Sequence, residues 1–379
     1  MRMMIFNLLM AVYVVVRFVG PLPCHRCWKL LMSASALLAA FKPRLFSFFG
    51  GGMFFAPDLP RELLWGGAWL YAVLFIFFFL LLFADLLRLL LWTLARAGSF
   101  GQWLRKTAVR INVLLLAFAA GLATLGLFNG AEPPQVKEER IVIEHLPQDA
   151  EGLTIAVLAD LHAHRLIQRK DIAEMVRRTN ILKPDVVVIV GDFADGTVAQ
   201  RGNDLLPLAA LSAPYGVFGV PGNHEYYSGY AEWMKLLPQL GIRRLENDHV
   251  PLFSGKIVLG GVTDTVSTRF GLETPDIQKT FDGASPEAVK ILLAHRPALA
   301  REASKHGVSL QLSGHTHGGM IRGMDLLVAR FNGGFAAGRY RIGPLQLYVN
   351  RGSGIWNGFP VRLGVPAEIT LLSLHRKNS

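Results

Sequence analysis

Residues 153–162 read LTIAVLADLH, an apolar run that stops at an aspartate with a histidine two positions on. Residues 186–195 repeat the arrangement as VVVIVGDFAD. Short apolar runs of this kind are the pattern of strands buried on both faces. In open α/β sheets, the polar residues just past the ends of such strands line the site. Three later segments finish in the same way. Residues 215–220 lead into Gly222-Asn223-His224-Glu225, residues 291–293 into Ala294-His295, and residues 310–312 into Gly314-His315-Thr316-His317. Further strands are expected at 257–259, 345–349 and 369–374, and helices at 167–179, 229–240 and around 297–305. Apolar strands followed by helices give an α/β sandwich rather than an all-β fold.

Each of these five strand exits offers a metal ligand. Asp160 and His162 are alternate residues, as are His315 and His317, so in an extended segment each pair points to one side. Carboxylate and imidazole together suit a borderline divalent ion such as Mn, Fe or Zn. A lone aspartate after a strand is usually a turn former or helix cap, and a lone histidine is usually structural. The joint occurrence, with glycine beside the polar residues where backbone must approach closely, is what points to a metal centre.

The ordered set D-x-H (160–162), G-D-x-x-D (191–195), G-N-H-E (222–225), His295 and G-H-x-H (314–317) resembles the calcineurin-like metallophosphoesterase family over about residues 153–375. The flanking residues 223–227, 315–319 and 347–352 are similar to its membrane-anchored bacterial branch. The resemblance implies a four-layer α-β-β-α sandwich that holds two divalent metal ions, Mn first, with Fe or Zn as alternatives. Asp160, His162 and His317 would hold one metal, Asn223, His295 and His315 the other, and Asp192 would bridge them. His224 would be the non-ligand catalytic histidine, donating to the phosphate or protonating the leaving oxygen. Asp195 would orient that imidazole, unless it is a helix cap or turn former. His164 continues the alternation and is either a substrate contact or an ordinary loop histidine.

One departure bears on the substrate. Phosphoprotein phosphatases of this family carry Arg-Gly after the second aspartate, whereas this chain has Gly196-Thr197. That favours a phosphodiester or pyrophosphate over a monoester. Arg165, Arg269, Arg296 and Arg351 are candidate replacement clamps, with Arg296, next to His295, the best placed. Tyr226, Tyr227, Tyr230 and Trp233 form either an apolar rim or a core patch.

The remaining sequence is a different material. The chain is 51% hydrophobic and only 18% charged, where a soluble domain carries about 25%. Residues 1–130 hold 16 of the 24 Phe and three acids, Asp58, Glu62 and Asp85. The other 25 acids and ten of the eleven His follow. A single soluble globule, a disordered chain and a disulfide-stapled scaffold are all excluded. Residues 63–84 and 111–131 are long enough to cross a bilayer. Residues 3–19, with Arg17, and 30–56, interrupted by Lys42-Pro43-Arg44, are weaker. The second reads as one broken span or a re-entrant pair, giving three or four spans, four favoured. The expected organisation is a transmembrane region at 1–130, a linker at 131–152 with an edge strand near 140–145, and the catalytic domain at 153–375. Cys24 and Cys27, beside His25, identify no redox compartment.

Residues 85–110 carry Arg88, Arg96, Arg105, Lys106 and Arg110 against one acid, which the positive-inside rule places in the cytoplasm. The catalytic domain would then lie outside a bacterial cytoplasmic (inner) membrane. A net charge of +11 suits anionic lipid or a phosphorylated substrate. Nothing in the motifs suggests nucleic acid. The expected activity is hydrolysis of a phosphodiester or pyrophosphate bond in a phosphorylated lipid, nucleotide-lipid or envelope substrate. The alternatives are a UDP-2,3-diacylglucosamine pyrophosphatase of lipid A synthesis, which would require a cytoplasmic domain, and a phosphomonoesterase. A regulatory domain of a transporter is the alternative of another class, and it predicts paired intramembrane charges or repeats.

Overall fold

The computed structural model describes residues 2–51, 53, 55–94 and 99–377. The chain forms two compact units. One comprises Met1–Asn129 with Gly358–Val361, the other Gly130–Asn357 with Arg362–Ser379.

The first unit is helical. Helix α1 (Arg2–Val14) runs into a π-helical turn at Val15–Val19, followed by α2 (Arg26–Phe49), α3 (Arg61–Leu94) and α4 (Ser99–Ala131). Arg61–Thr93 and Thr107–Ala131 are long and apolar enough to span a membrane, and Met3–Val19 is a shorter apolar helix. These helices anchor the protein to a membrane. The expected break at Lys42-Pro43-Arg44 does not occur, because α2 continues through Pro43. A proline leaves the carbonyl four residues earlier unpaired, and neighbouring helices can supply a substitute donor. Here Asn7 Nδ2 of α1 donates to the Ala40 carbonyl at 3.2 Å, next to that position. One charged cluster within the unit centres on Asp85. Asp85 accepts from Tyr13, Arg17 and Arg88, and Arg88 also donates to Asn112. Of the basic residues expected to set orientation, Arg96 and the side chains of Arg105 and Lys106 lie outside what the structure describes.

The second unit is built on two six-stranded sheets. The first has the order β1-β12-β2-β3-β4-β5, from Gln135–Ile143, Glu368–Arg376, Thr154–Leu158, Val186–Val190, Val217–Val220 and Arg243–Arg244. The second has the order β10-β11-β9-β8-β7-β6, from Gly338–Ile342, Leu345–Val349, Val308–Ser313, Val289–Leu293, Ile257–Gly261 and Asp248–Leu252. The period of two along each strand decides which side chains meet. Val186, Val188 and Val190 share one buried cluster with Leu259, Ile291, Leu310 and Leu312 of the other sheet. Burying each such side chain contributes about 1.5–3 kcal/mol. The outer face of the second sheet has its own cluster, in which Val258, Leu292 and Leu347 meet Ala300 and Ala303 of a short helical segment. The helix Arg169–Ile181 buries Ile172, Met175 and Val176 and forms the crossover between parallel β2 and β3. The result is an α/β sandwich of two mixed sheets flanked by helices.

Two differences from expectation concern edges. The edge strand near 140–145 is longer and begins earlier, because β1 pairs in parallel with β12 from Gln135↔Glu368 to Ile143↔Arg376. Strands β6 and β10 escape a search for apolar runs, since DHVPL and GRYRI lie at the rim of their sheet and leave much of each strand to water.

Candidate metal centre

Strands β2, β3 and β4 run parallel in one sheet, and β7, β8 and β9 run parallel in the other. Their carboxyl ends deliver the polar residues. Asp160 and His162 follow β2, and Asp192 follows β3. Asn223 and His224 open the short helix Asn223–Tyr227 after β4, His295 follows β8, and His315 and His317 follow β9. Among the described residues, three groups have ligand atoms within 4.8 Å of one another: Asp160 with His162 and His317, His162 with Asp192 and His224, and Asp192 with His295 and His315. Asp192 belongs to two groups. Its Oδ2 lies 3.2 Å from His295 Nε2 and 3.6 Å from His162 Nε2. Asn223 joins the set through Arg296, whose Nη2 donates to Asn223 Oδ1 at 3.0 Å while Nη1 lies 2.9 Å from His315 Nε2. Asp195 completes it, accepting at Oδ1 from Nδ1 of His162 (2.8 Å) and of His224 (2.6 Å).

The backbone that presents these groups is unusual. Asp160, His162, Asp192, His315 and His317 all have positive φ, between 45° and 71°. Such left-handed residues cost about 1–3 kcal/mol each and persist only where the surroundings hold them. Here Asp160 N donates to Gly191 O and His162 N to Asp192 O, both at 3.0 Å, and His315 N donates to the Asp160 carboxylate. Asp160 and His162 therefore converge through two left-handed turns about Leu161, not through the extended alternation expected from their spacing. Glycine gives the room. A Cβ at Gly314 would lie 2.5 Å from Asp160 Oδ2, and one at Gly222 would run into Asp192 Oδ1. Gly222→Ala is expected to lower metal affinity by about tenfold or more, as loss of support behind a ligand does, with the circular dichroism spectrum unchanged. Metal content after dialysis checks this, and wild-type content would refute it.

The site calls for positive charge. His295 Nδ1 hydrogen-bonds the Val190 carbonyl at 2.7 Å, leaving Nε2 facing Asp192. That buried Nε2 has no hydrogen-bond partner among the described residues. Burial lowers the basicity of His295, but Asp192 outweighs it and raises the imidazole to about 10. His224 behaves alike, with burial opposed by Asp192 and Asp195 and the result raised to about 9. Burial pushes the Asp195 carboxyl up, yet His162 and His224 hold it well below the usual carboxylate range. His315 and His317, by contrast, are driven well below the usual imidazole range by burial. Carboxylate, amide and imidazole donors converging on a buried point that demands cations fit two borderline divalent ions. This is a binuclear metal-binding site.

Three residues with structural roles here had been given none from sequence. Asp264, buried after β7, takes Arg296 Nε at 2.9 and 3.0 Å, so a sixth strand exit belongs to the set. Glu225, fully buried, accepts from the backbone N–H groups of Gly222, Asp192 and Phe193 at 2.8, 3.1 and 2.8 Å. Its signal was the carboxylate three residues after a helix-opening glycine. Arg362, also buried, donates to the carbonyls of Arg351, Gly354 and Val365, and nothing in the sequence marked it.

The other candidates divide. His164 is structural, its Nδ1 accepting from Leu166 N and Ile167 N and its Nε2 meeting the Ile355 carbonyl. Trp233 is buried and donates to Gly196 O, and Tyr226 is buried and stacks on Tyr230 at 4.2 Å. These are core. Tyr227 lies at the rim, 5.8 Å from the His224 ring and 6.1 Å from exposed Phe270. Arg351 is drawn to Glu368, 3.6 Å away.

Residues 153–319 match the family model described as calcineurin-like phosphoesterase. A transmembrane protein with metallophosphoesterase domain from Danio rerio is 35% identical over 308 residues, covering 78% of this chain and 70% of that one. Its counterpart from Bos taurus is 35% identical over 304 residues, covering 76% and 67%. A metallophosphoesterase of Helicobacter pylori is 37% identical over 272 residues, covering 70% and 72%. Fold, donor set and these likenesses agree, and the chain belongs to the calcineurin-like phosphoesterase family as a metal-dependent phosphoesterase.

Proposed function

We propose that this enzyme hydrolyses a phosphodiester or pyrophosphate bond in a lipid-linked or envelope substrate. Arg296 carries the reading. Its guanidinium, held at Nε by Asp264, stands beside His315 and Asn223 and so places a cation at the edge of the ligand set. Where phosphoprotein phosphatases carry Arg-Gly, Gly196 engages Trp233 instead. One planar guanidinium matches the single charge on a phosphodiester group better than a monoester dianion. Tyr227 and Phe270 offer an apolar flank for the esterified group.

In this reading Asp160, His162 and His317 would hold one metal, Asn223, His295 and His315 the second, and Asp192 would be shared between them, with Mn the first choice. When bound, the two ions supply an activated water and offset charge on the phosphoryl oxygens. Asp195 holds His162 and His224 by their Nδ1 protons. His224, whose Nδ1 proton goes to Asp195, turns its Nε2 toward the leaving oxygen and would donate a proton there. Arg296 binds a phosphoryl oxygen that does not react. The anchor lies in a bacterial inner membrane, with the catalytic unit outside on the loop-charge argument.

The test is the detergent-purified chain with Mn, assayed on an aryl phosphodiester, an aryl monoester and UDP-2,3-diacylglucosamine. Turnover of the diester is expected to exceed that of the monoester by about tenfold, a barrier difference of about 1.4 kcal/mol. Preference for the monoester overturns the reading. A reporter fused to the C-terminus is expected to be active outside the membrane. Activity only inside would reverse the orientation and favour the nucleotide-lipid.

A further inference from the structure

The helix Asp325–Phe331 in the catalytic unit buries none of its residues. Leu326, Leu327 and Phe331 are 77%, 49% and 78% exposed. Three large apolar side chains within six positions make a patch, which soluble surfaces keep for a partner. Exposed Arg322 and Arg330 flank it. The helix is firmly mounted. Arg322 N donates to Leu363 O, and Leu363 N to Met320 O, each at 2.9 Å. A Cβ at Gly319 would lie 2.6 Å from Asp325 N, so the helix start abuts a glycine two residues beyond His317. The metal-ligand loop and this helix are therefore one piece. The match to the family model ends at residue 319, short of the helix.

We propose that this helix seats in the headgroup–acyl boundary of the bilayer that holds the chain's own apolar helices. Leu326, Leu327 and Phe331 enter the acyl region, and Arg322 and Arg330 meet lipid phosphates. An apolar face bordered by arginines is the composition of interfacial segments, and arginine near an anionic surface is attracted to it. Seven residues alone would bind weakly. The membrane anchor keeps lipid at high effective concentration, so a weak contact suffices. The seating stands apart from the identity of the substrate. Its consequence, that a lipid phosphate is met at the bilayer surface beside the metal-ligand loop, rests on the reading proposed above.

The experiment uses the full chain with Cys24 and Cys27 changed to serine, reconstituted in phosphatidylethanolamine–phosphatidylglycerol vesicles. A single cysteine replaces Leu326, or Lys305 as a control, and carries the environment-sensitive dye NBD. Lys305 precedes β9, at the end away from the metal ligands, and its side chain is exposed. The 326 probe is expected to shift to the blue and lose intensity with doxyl-labelled lipids, while the 305 probe does neither. Equal behaviour at both positions overturns the proposal. So does a disulfide formed on mild oxidation between two copies of the unlabelled Leu326→Cys chain when the NBD-labelled chain shows no quenching, which assigns the patch to self-association. A second variant, Leu326→Glu with Phe331→Glu, is expected to raise KM for a vesicle-borne lipid phosphodiester by about tenfold. Its kcat/KM on a soluble aryl phosphodiester should match wild type. An equal loss on both substrates overturns the proposal. If wild type cleaves no lipid phosphodiester, the substrate reading fails, and the two probes still decide the seating.

Discussion

Asp192→Asn is expected to reduce turnover of an aryl phosphodiester by about 10³–10⁴-fold, the rate equivalent of the several kcal/mol that metal-ion charge stabilisation supplies. The same oxygen of Asp192 faces His162 and His295, and the residue occurs in two of the three ligand groups. An amide keeps the shape and removes the charge. The largest part of the Coulombic pull that raises His295 against burial is lost, and with it much of the attraction for a second cation. Metal content should fall from two ions per chain toward one. Elemental analysis of the purified variant, alongside steady-state kinetics, reads both effects. Two ions per chain with near-wild-type turnover would sink the shared-carboxylate arrangement.

His224→Gln and Asp195→Asn make the second large pair. Loss of the imidazole is expected to cost about 10²–10⁴-fold in kcat, the range for a positioned general acid. Asp195→Asn should cost at least as much, because one carboxylate oxygen serves two imidazoles and both of those occur in the metal-ligand groups. The double variant is expected to be little worse than Asp195→Asn alone, as for groups that act as a unit. The pH profile separates the roles. His224 is raised to about 9, so as an acid it is charged and competent below its pKa, and activity falls as pH climbs through it. His224→Gln should lack that alkaline limb. Asp195→Asn removes one of the carboxylates that raise the imidazole, so its limb should move to lower pH. An unmoved limb in Asp195→Asn would count against direct coupling of the two groups.

The candidate ligands were legible because each stands at the exit of an apolar strand and is of a type that binds metal. Asp264 obeyed the same rule, but its strand ends in Gly260-Gly261 and the polar exit comes three residues later. Glu225 and Arg362 were less legible for a different reason. Their partners are backbone groups, and no side-chain pattern records a carbonyl brought near by folding. The same holds for α2, which continues through a proline that reads as a break, while Asn7, 33 residues away, donates to the carbonyl beside the one the proline leaves unpaired. Convergence of Asp160 and His162 was anticipated for the wrong reason, since φ values of 51° and 45° are not written in a D-x-H spacing.

Strand β1 leaves α4 after only a few residues and finds its partner in β12, at 368–376. During synthesis the helices precede both strands and can enter the bilayer early. Nothing made between β1 and β12 can pair with β1, and β12 also separates β1 from β2. The first sheet therefore stays open at that edge until residue 376 has left the ribosome. A ribosome stalled before that point should carry a chain already inserted in the membrane but readily cut by protease around residues 135–143, and protection there should arrive in one step as the last strand emerges.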